Sequence, residues 1–246
     1  MTTRLHPVWF PAVLLAALVP TFAALGVWQL HRADDKRAVQ QEYDARAAEP
    51  RLRLGPRLQS ADELSFRRVV ARGRYDPDYQ ILLDNRVHNH VVGYEVLTPL
   101  RLEGGDTRVL VDRGWVALGE SRAQLPPIET PTDVREISGV AKVPSGCGFM
   151  CRFVFGTPPT NTPGWQPVWP RLDVTRYVAT VPFAVQPVVV LLDADAAHGY
   201  VREWTRLDDG IVVHQAYAAQ WFALAVLAVV IVTVFLRRHA SRRSRR

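Results

Sequence analysis

Residues 214–225 read HQAYAAQWFALA, a histidine followed by small and aromatic side chains. A neutral imidazole carries one nitrogen lone pair and is a common ligand for iron, zinc and copper. Placed at a membrane edge among alanines, it suits a flat, apolar, metal-bearing ligand. Counted at 100° per residue, Ala218, Trp221, Ala225 and Ala228 fall within about 40° of His214 on a helix. Tyr217 flanks that face, and Trp221 or Tyr217 could stack on a planar ring. A second small-residue face comprises Ala12, Ala16, Val19, Ala23, Gly26 and Gln29. Two such faces also suit close helix–helix packing, in which His214 is only an interfacial polar residue.

Other candidate groups are weaker. Cys147 and Cys151 form CGFMC, the only cysteines of the chain. They suit a local disulfide in an oxidising compartment, or a Cu(I) site that lacks a nearby histidine. His88 and His90 form VHNHV and on a strand would share one face, although exposed histidines are more often plain surface residues. No nucleophile–base spacing, P-loop or dinucleotide fingerprint is present, which argues against a hydrolase.

The elements that must carry these residues follow from hydropathy. Val8 to Leu30 and Ala216 to Leu236 contain no charged residue, and each has the roughly 20 residues that a membrane helix needs. Pro11 suits a first helical turn, and Pro20 would kink the first run as membrane helices tolerate. That run also has features of a signal peptide, with Arg4 ahead and Ala23-Ala24 as a small-residue site, but it is long for one.

The chain of 246 residues has a formal net charge of +6. All 24 acidic residues lie between the two apolar runs, whereas Arg237, Arg238, Arg242, Arg243, Arg245 and Arg246 follow the second. The excess charge is therefore a tail and not a binding face, which argues against nucleic acid as a partner. By the positive-inside rule the tail stays in the cytoplasm. The expected order is a cytoplasmic N-terminus at 1–7, a transmembrane helix at 8–30, a periplasmic β-rich domain at 31–213, a second transmembrane helix at 214–236 opening on His214, and a basic cytoplasmic tail at 237–246. With no organellar transit signal, the expected site is a bacterial inner membrane.

About 180 central residues suffice for one domain with a core. His31 to Ala48 is rich in helix formers and should continue the first helix until Pro50. FRRVVARGRYD, YQILLDN, VGYEVLTPLRL, TRVLVDRGWV and EISGVAKVP alternate like strands. Glu103 to Asp106 reads as a hairpin turn. VVVLLD and YVREWTRL read as later strands, and LDVTRYVA as a short helix with Asp173 near its N-cap. GTPPTNTPGWQPVWPR reads as an ordered loop pinned by Trp165 and Trp169. The expected fold is a mostly antiparallel β-domain, sandwich or barrel, with a minor helix, between two membrane helices.

Taken in order, LGVWQLHR at 25–32 with Lys36 beyond it, GRYDPDYQILLDNR at 73–86, GYEVLTPL at 93–100, VLVDRGWV at 109–116 and HQAYAAQWFALA at 214–225 resemble the surfeit-locus protein 1 family. The resemblance implies a role in building haem–copper cytochrome c oxidase, around haem a delivery to its catalytic subunit. The partners implied are that subunit, oxidase assembly intermediates and the lipid bilayer. It also implies haem a as cofactor, with His214 at the position of the iron-binding histidine, and a handover of that kind needs no catalysed reaction, so an enzyme is not expected. Gln29 of the first-helix motif, with Tyr217 and Trp221 of the helix face, are the further candidates to line the ring. Trp28, Gln29 and Arg32 match the first-helix motif; Arg86, Gly93, Arg113, Gly114 and Trp115 match the domain motifs. Arg32 is a weaker candidate for a haem propionate, because helix phase turns it from Gln29. A scaffold that clasps an oxidase intermediate without binding haem is the alternative.

Overall fold

The computed structural model describes residues 9–119, 121–122, 124–144, 165–204 and 210–243. These fall into two compact units. One holds the chain up to Gln41 and from Thr205 onward, and the other runs Glu42–Trp204.

The first unit is built on two long helices. Helix α1 spans Trp9–Ala47 and carries Pro20 in its interior. It runs without a break from the apolar stretch into the charged one, as the helix formers after His31 lead one to expect. Helix α4 spans Ile211–Arg243, so it starts before His214 and places that residue in its first turn. The His214 amide donates to the Gly210 carbonyl at 3.0 Å. Within the described residues, Ile211–Arg238 is long and apolar enough to cross a membrane by length and composition.

The second unit is a β-barrel with additions. Its strands are β1 (Leu52–Leu54), β2 (Arg68–Tyr75), β3 (Ile81–His88), β4 (Val91–Leu102), β5 (Arg108–Ala117), β6 (Arg135–Lys142), β7 (Val168–Trp169) and β8 (Val185–Leu192). Strand β2 pairs with β6, β6 with β8, β8 with β5, β5 with β4, and β4 returns to β2. These five strands close a ring. Strand β1 adds beside β2, and β3 followed by β7 continues from β4. Pairing is mostly antiparallel, with parallel pairs β1–β2, β3–β7 and β5–β8.

Closure of so small a barrel demands sharp bending, and glycine supplies it. Gly73 pairs with both β6 and β4, so it sits where β2 changes partner. A β-carbon there would lie 2.0 Å from the Arg101 carbonyl oxygen. Alternate residues fill the interior: Val69, Ala71, Leu100, Leu102, Val109, Val111, Ile137, Ala141, Val188, Val190 and Leu192 form one core. A second core, including Leu97, Leu110, Trp169 and Tyr177, lies under helix α3 (Val174–Thr180). Asp173 caps α3 by accepting the Arg176 amide at 3.0 Å. Helix α2 (Ala61–Leu64) starts in a capping box of Ser60 and Glu63.

Several expectations change. YVREWTRL is no strand in its described part: Val201 makes only an isolated bridge to Trp115, and 205–209 lie outside the described residues. The proline-rich stretch contains regular structure after all. Val168 and Trp169 pair with Leu82 and Leu83 as β7; proline is tolerated beside so short an edge strand. Trp165 and Trp169 do anchor it: Trp165 meets Tyr79 and Tyr177 edge-on, and Trp169 meets Tyr177 in the same way. Its beginning, and the pair Cys147 and Cys151, lie outside the described residues.

Candidate functional site

The two helices of the first unit meet through the small-residue faces read from their periodicity. Gly26, Ala218 and Ala225, all on those faces, are buried. A β-carbon on Gly26 would lie 2.7 Å from the Phe222 ring, so only glycine lets that ring settle against α1. One turn away, Phe22 stacks on Trp221 with centroids 5.7 Å apart. This contact takes up the alanine face of α4, and Trp221 is engaged by an aromatic partner of its own protein.

At the N-terminal end of α4 the same packing brings His214 to Gln29, with 2.6 Å between Nδ1 and Oε1. An amide oxygen only accepts hydrogen bonds. Nδ1 therefore carries the proton and donates it, which leaves the lone pair on Nε2. His214 is half-buried. Tyr217, the flanking residue, is 50% exposed. An imidazole with Nδ1 held by an acceptor and Nε2 left to offer a lone pair is a donor arrangement that suits a haem iron. The expected residues thus divide: His214, Gln29 and Trp221 lie at the helix contact, and Tyr217 stands outside it.

Neighbouring motif residues are also placed. Arg32 lies over the exposed Trp28 ring at 5.8 Å and pairs with Asp35 at 3.6 Å. Lys36 reaches the backbone that enters α4: its Nζ lies 2.6 Å from where a Gly210 β-carbon would stand. Gly210 has φ +100°, a conformation that favours glycine.

In the barrel unit the motif residues cluster on β3, β4 and β5. Arg86 pairs with Glu95 at 3.2 Å, and the Trp115 indole donates to the Arg86 carbonyl at 3.0 Å. Gly93 leaves room for that indole, whose atoms lie 2.6 Å from a would-be β-carbon. Asp112 is buried and hydrogen-bonds Glu95. Burial, then the Glu95 charge, raises the Asp112 carboxyl well above the usual range, so the pair holds a proton. The sequence reading missed this pair. A register shift between Glu95 and Leu97 sets it, opposing Leu97 to Asp112, and no local pattern reports such a bulge.

Arg113 points the other way, into the barrel end, and is 1% exposed. It donates to the carbonyl of His198 at 2.9 Å and to the Thr130 hydroxyl at 2.9 Å. The Tyr75 and Tyr200 rings flank its guanidinium at 5.2 and 5.1 Å. Burial lowers its pKa and pushes the Tyr75 phenol up to about 12 against the opposing pull of Arg113. Arg113 is a structural plug, which explains its place in the motif without a ligand.

The histidine pair of VHNHV does not share a strand face. His88 ends β3, whereas Asn89 and His90 both have positive φ and form the turn before β4. His88 instead packs on Trp115 with centroids 5.2 Å apart. Among the described residues no group of three or more His, Cys, Asp or Glu side chains is placed to hold a metal ion.

The SURF1 family model matches residues 16–226, through α1, the barrel and the start of α4. An uncharacterised SURF1-like protein of Mycobacterium tuberculosis is 28% identical over 235 residues, covering 91% of this chain and 82% of its own length. A SURF1-like protein of Drosophila melanogaster is 28% identical over 244 residues, covering 88% of this chain and 73% of its own. One from Dictyostelium discoideum is 33% identical over 102 residues, covering 38% and 37%. The matched span takes in the motif-bearing parts of both helices and the domain between them, and the chain belongs to the SURF1 family.

Proposed function

We propose that this protein is a membrane-bound assembly factor for haem–copper cytochrome c oxidase that handles haem a and passes it to the catalytic subunit. Family membership supports the oxidase-assembly part of the reading. The observation that carries the haem part is the Gln29–His214 hydrogen bond, which leaves Nε2 of His214 as a lone-pair donor. The bound haem would supply a flat, largely apolar ring and an iron that accepts a nitrogen ligand. His214 would ligate it through Nε2. The exposed Tyr217, one turn along the same flank, would meet the ring edge. Trp221 and Gln29 would support the site from behind, through the contacts to Phe22 and His214.

Both helices would span a bacterial inner membrane, with the barrel in the periplasm and both termini in the cytoplasm. The arginines after Leu236 support that orientation. His214 would then stand at the outer edge of the bilayer, at the depth where an oxidase subunit could receive the cargo. Only a coordination bond to the cargo would form and break, and no substrate would be chemically changed, so the role is that of a chaperone and not an enzyme.

The packing of Ala218 and Ala225 against α1 favours a second reading. In it His214 is a packing residue, and the protein is a scaffold that stabilises an oxidase intermediate without haem. Absorbance separates the two. Protein purified from cells that make haem a should carry a Soret band, and His214→Ala should lose most of it. An unchanged band in that variant would remove His214 as the ligand.

A further inference from the structure

The hydrogen bond between Gln29 and His214 has chemical content beyond holding two helices together. Free neutral histidine in water favours the tautomer protonated on Nε2, which has no lone pair there to offer a metal. Here the amide oxygen 2.6 Å from Nδ1 selects the other tautomer. The selection depends on helix register. Gly26 admits the Phe222 ring, and Phe22 stacks on Trp221, so the Gln29 amide arrives at the level of the first turn of α4.

The partner's charge matters as much as its position. Metal-bound histidines often give their second N–H to a carboxylate, which raises the basicity of the ligating nitrogen and tightens the metal bond. Gln29 is a neutral acceptor and polarises the ring less. We propose that Gln29 is a positioning residue: it holds His214 in the Nδ1–H form and, being uncharged, would keep the bond from Nε2 to a haem iron weak enough for the cargo to leave. The second half rests on the haem-handling function; the first does not.

The test uses the full chain in detergent, 15N-labelled at histidine, with the His214 signal assigned by its loss in His214→Ala. Gln29→Met keeps the side-chain length and removes the acceptor. Gln29→Glu keeps the acceptor and adds charge. In haem-free protein the wild type and Gln29→Glu should show an unprotonated Nε2, and Gln29→Met a protonated one. An unprotonated Nε2 in Gln29→Met, or a protonated one in the wild type, overturns the tautomer claim. With haem a loaded, transfer to apomyoglobin should slow about tenfold in Gln29→Glu, and the midpoint potential should fall. Transfer at the wild-type rate overturns the tuning. A wild-type chain that takes up no haem overturns the proposed function and the tuning with it, while the haem-free spectra still judge the tautomer.

Discussion

At the scale of single residues, the polar groups of this protein are set by what buries them. Asp112 is almost wholly enclosed, and Glu95 adds a like charge beside it, so the pair retains a proton at pH values where a free aspartate is ionised. A carboxyl whose folded pKa lies above its unfolded value binds more protons when folded. Its contribution to stability is full below about pH 4 and is lost as pH rises through the elevated pKa. Asparagine can keep both hydrogen bonds, to the Gly114 amide and to Glu95, without the charge. Asp112→Asn should therefore flatten the decline of melting temperature with rising pH and raise it near neutrality, read from tryptophan fluorescence of the full chain. A steeper decline in the variant would refute the shared proton. The carboxyls were legible in sequence; their pairing was not, because the register shift lies between strands and not within one.

At the scale of elements, glycines decide where strands can approach. Gly114 has φ +105°, and a β-carbon there would lie 2.5 Å from the Val201 carbonyl oxygen. That carbonyl accepts the Trp115 amide at 2.8 Å, and the Tyr200 amide donates to Arg113 at 2.7 Å. Gly114→Ala combines backbone strain with a backbone clash, and should cost on the order of 2–3 kcal/mol. It should loosen the 200–201 segment from β5, so amide exchange at Tyr200 and Val201 should speed up while the β6–β8 ladder stays protected. Equal exchange in both places would place the role of Gly114 elsewhere. The strands themselves were readable from alternation, since period-2 patterning is local. Strand β7 was not, because prolines hide a two-residue pairing that the neighbouring β3 imposes.

At the scale of the whole molecule, charge and apolar length bear on placement in a membrane. Helix α4 has 33 residues, about 50 Å at 1.5 Å per residue, more than a hydrocarbon core of about 30 Å. Arginines follow its C-terminal end, and under the proposed insertion the positive-inside rule would keep that end in the cytoplasm. Trypsin added to inside-out vesicles should trim the tail, and trypsin added from the periplasmic side should leave it intact. Trimming from the periplasmic side would put His214 on the cytoplasmic face and end the proposed handover.

The amino-acid sequence alone determined the apolar stretches, the arginine tail, most strands, the α3 cap at Asp173 and the family motifs. Each depends on neighbours a few residues away, where periodicity and capping chemistry act. Only the tertiary structure decided that β2 serves both β6 and β4 to close a ring, that Arg113 turns inward while Asp112 meets Glu95, and that His88 and His90 part at a turn. It alone joined Gln29 to His214 across 185 positions. Such contacts come from packing and register between distant segments, and two helices with small faces have many registers open to them until Gly26 and its aromatic neighbours select one.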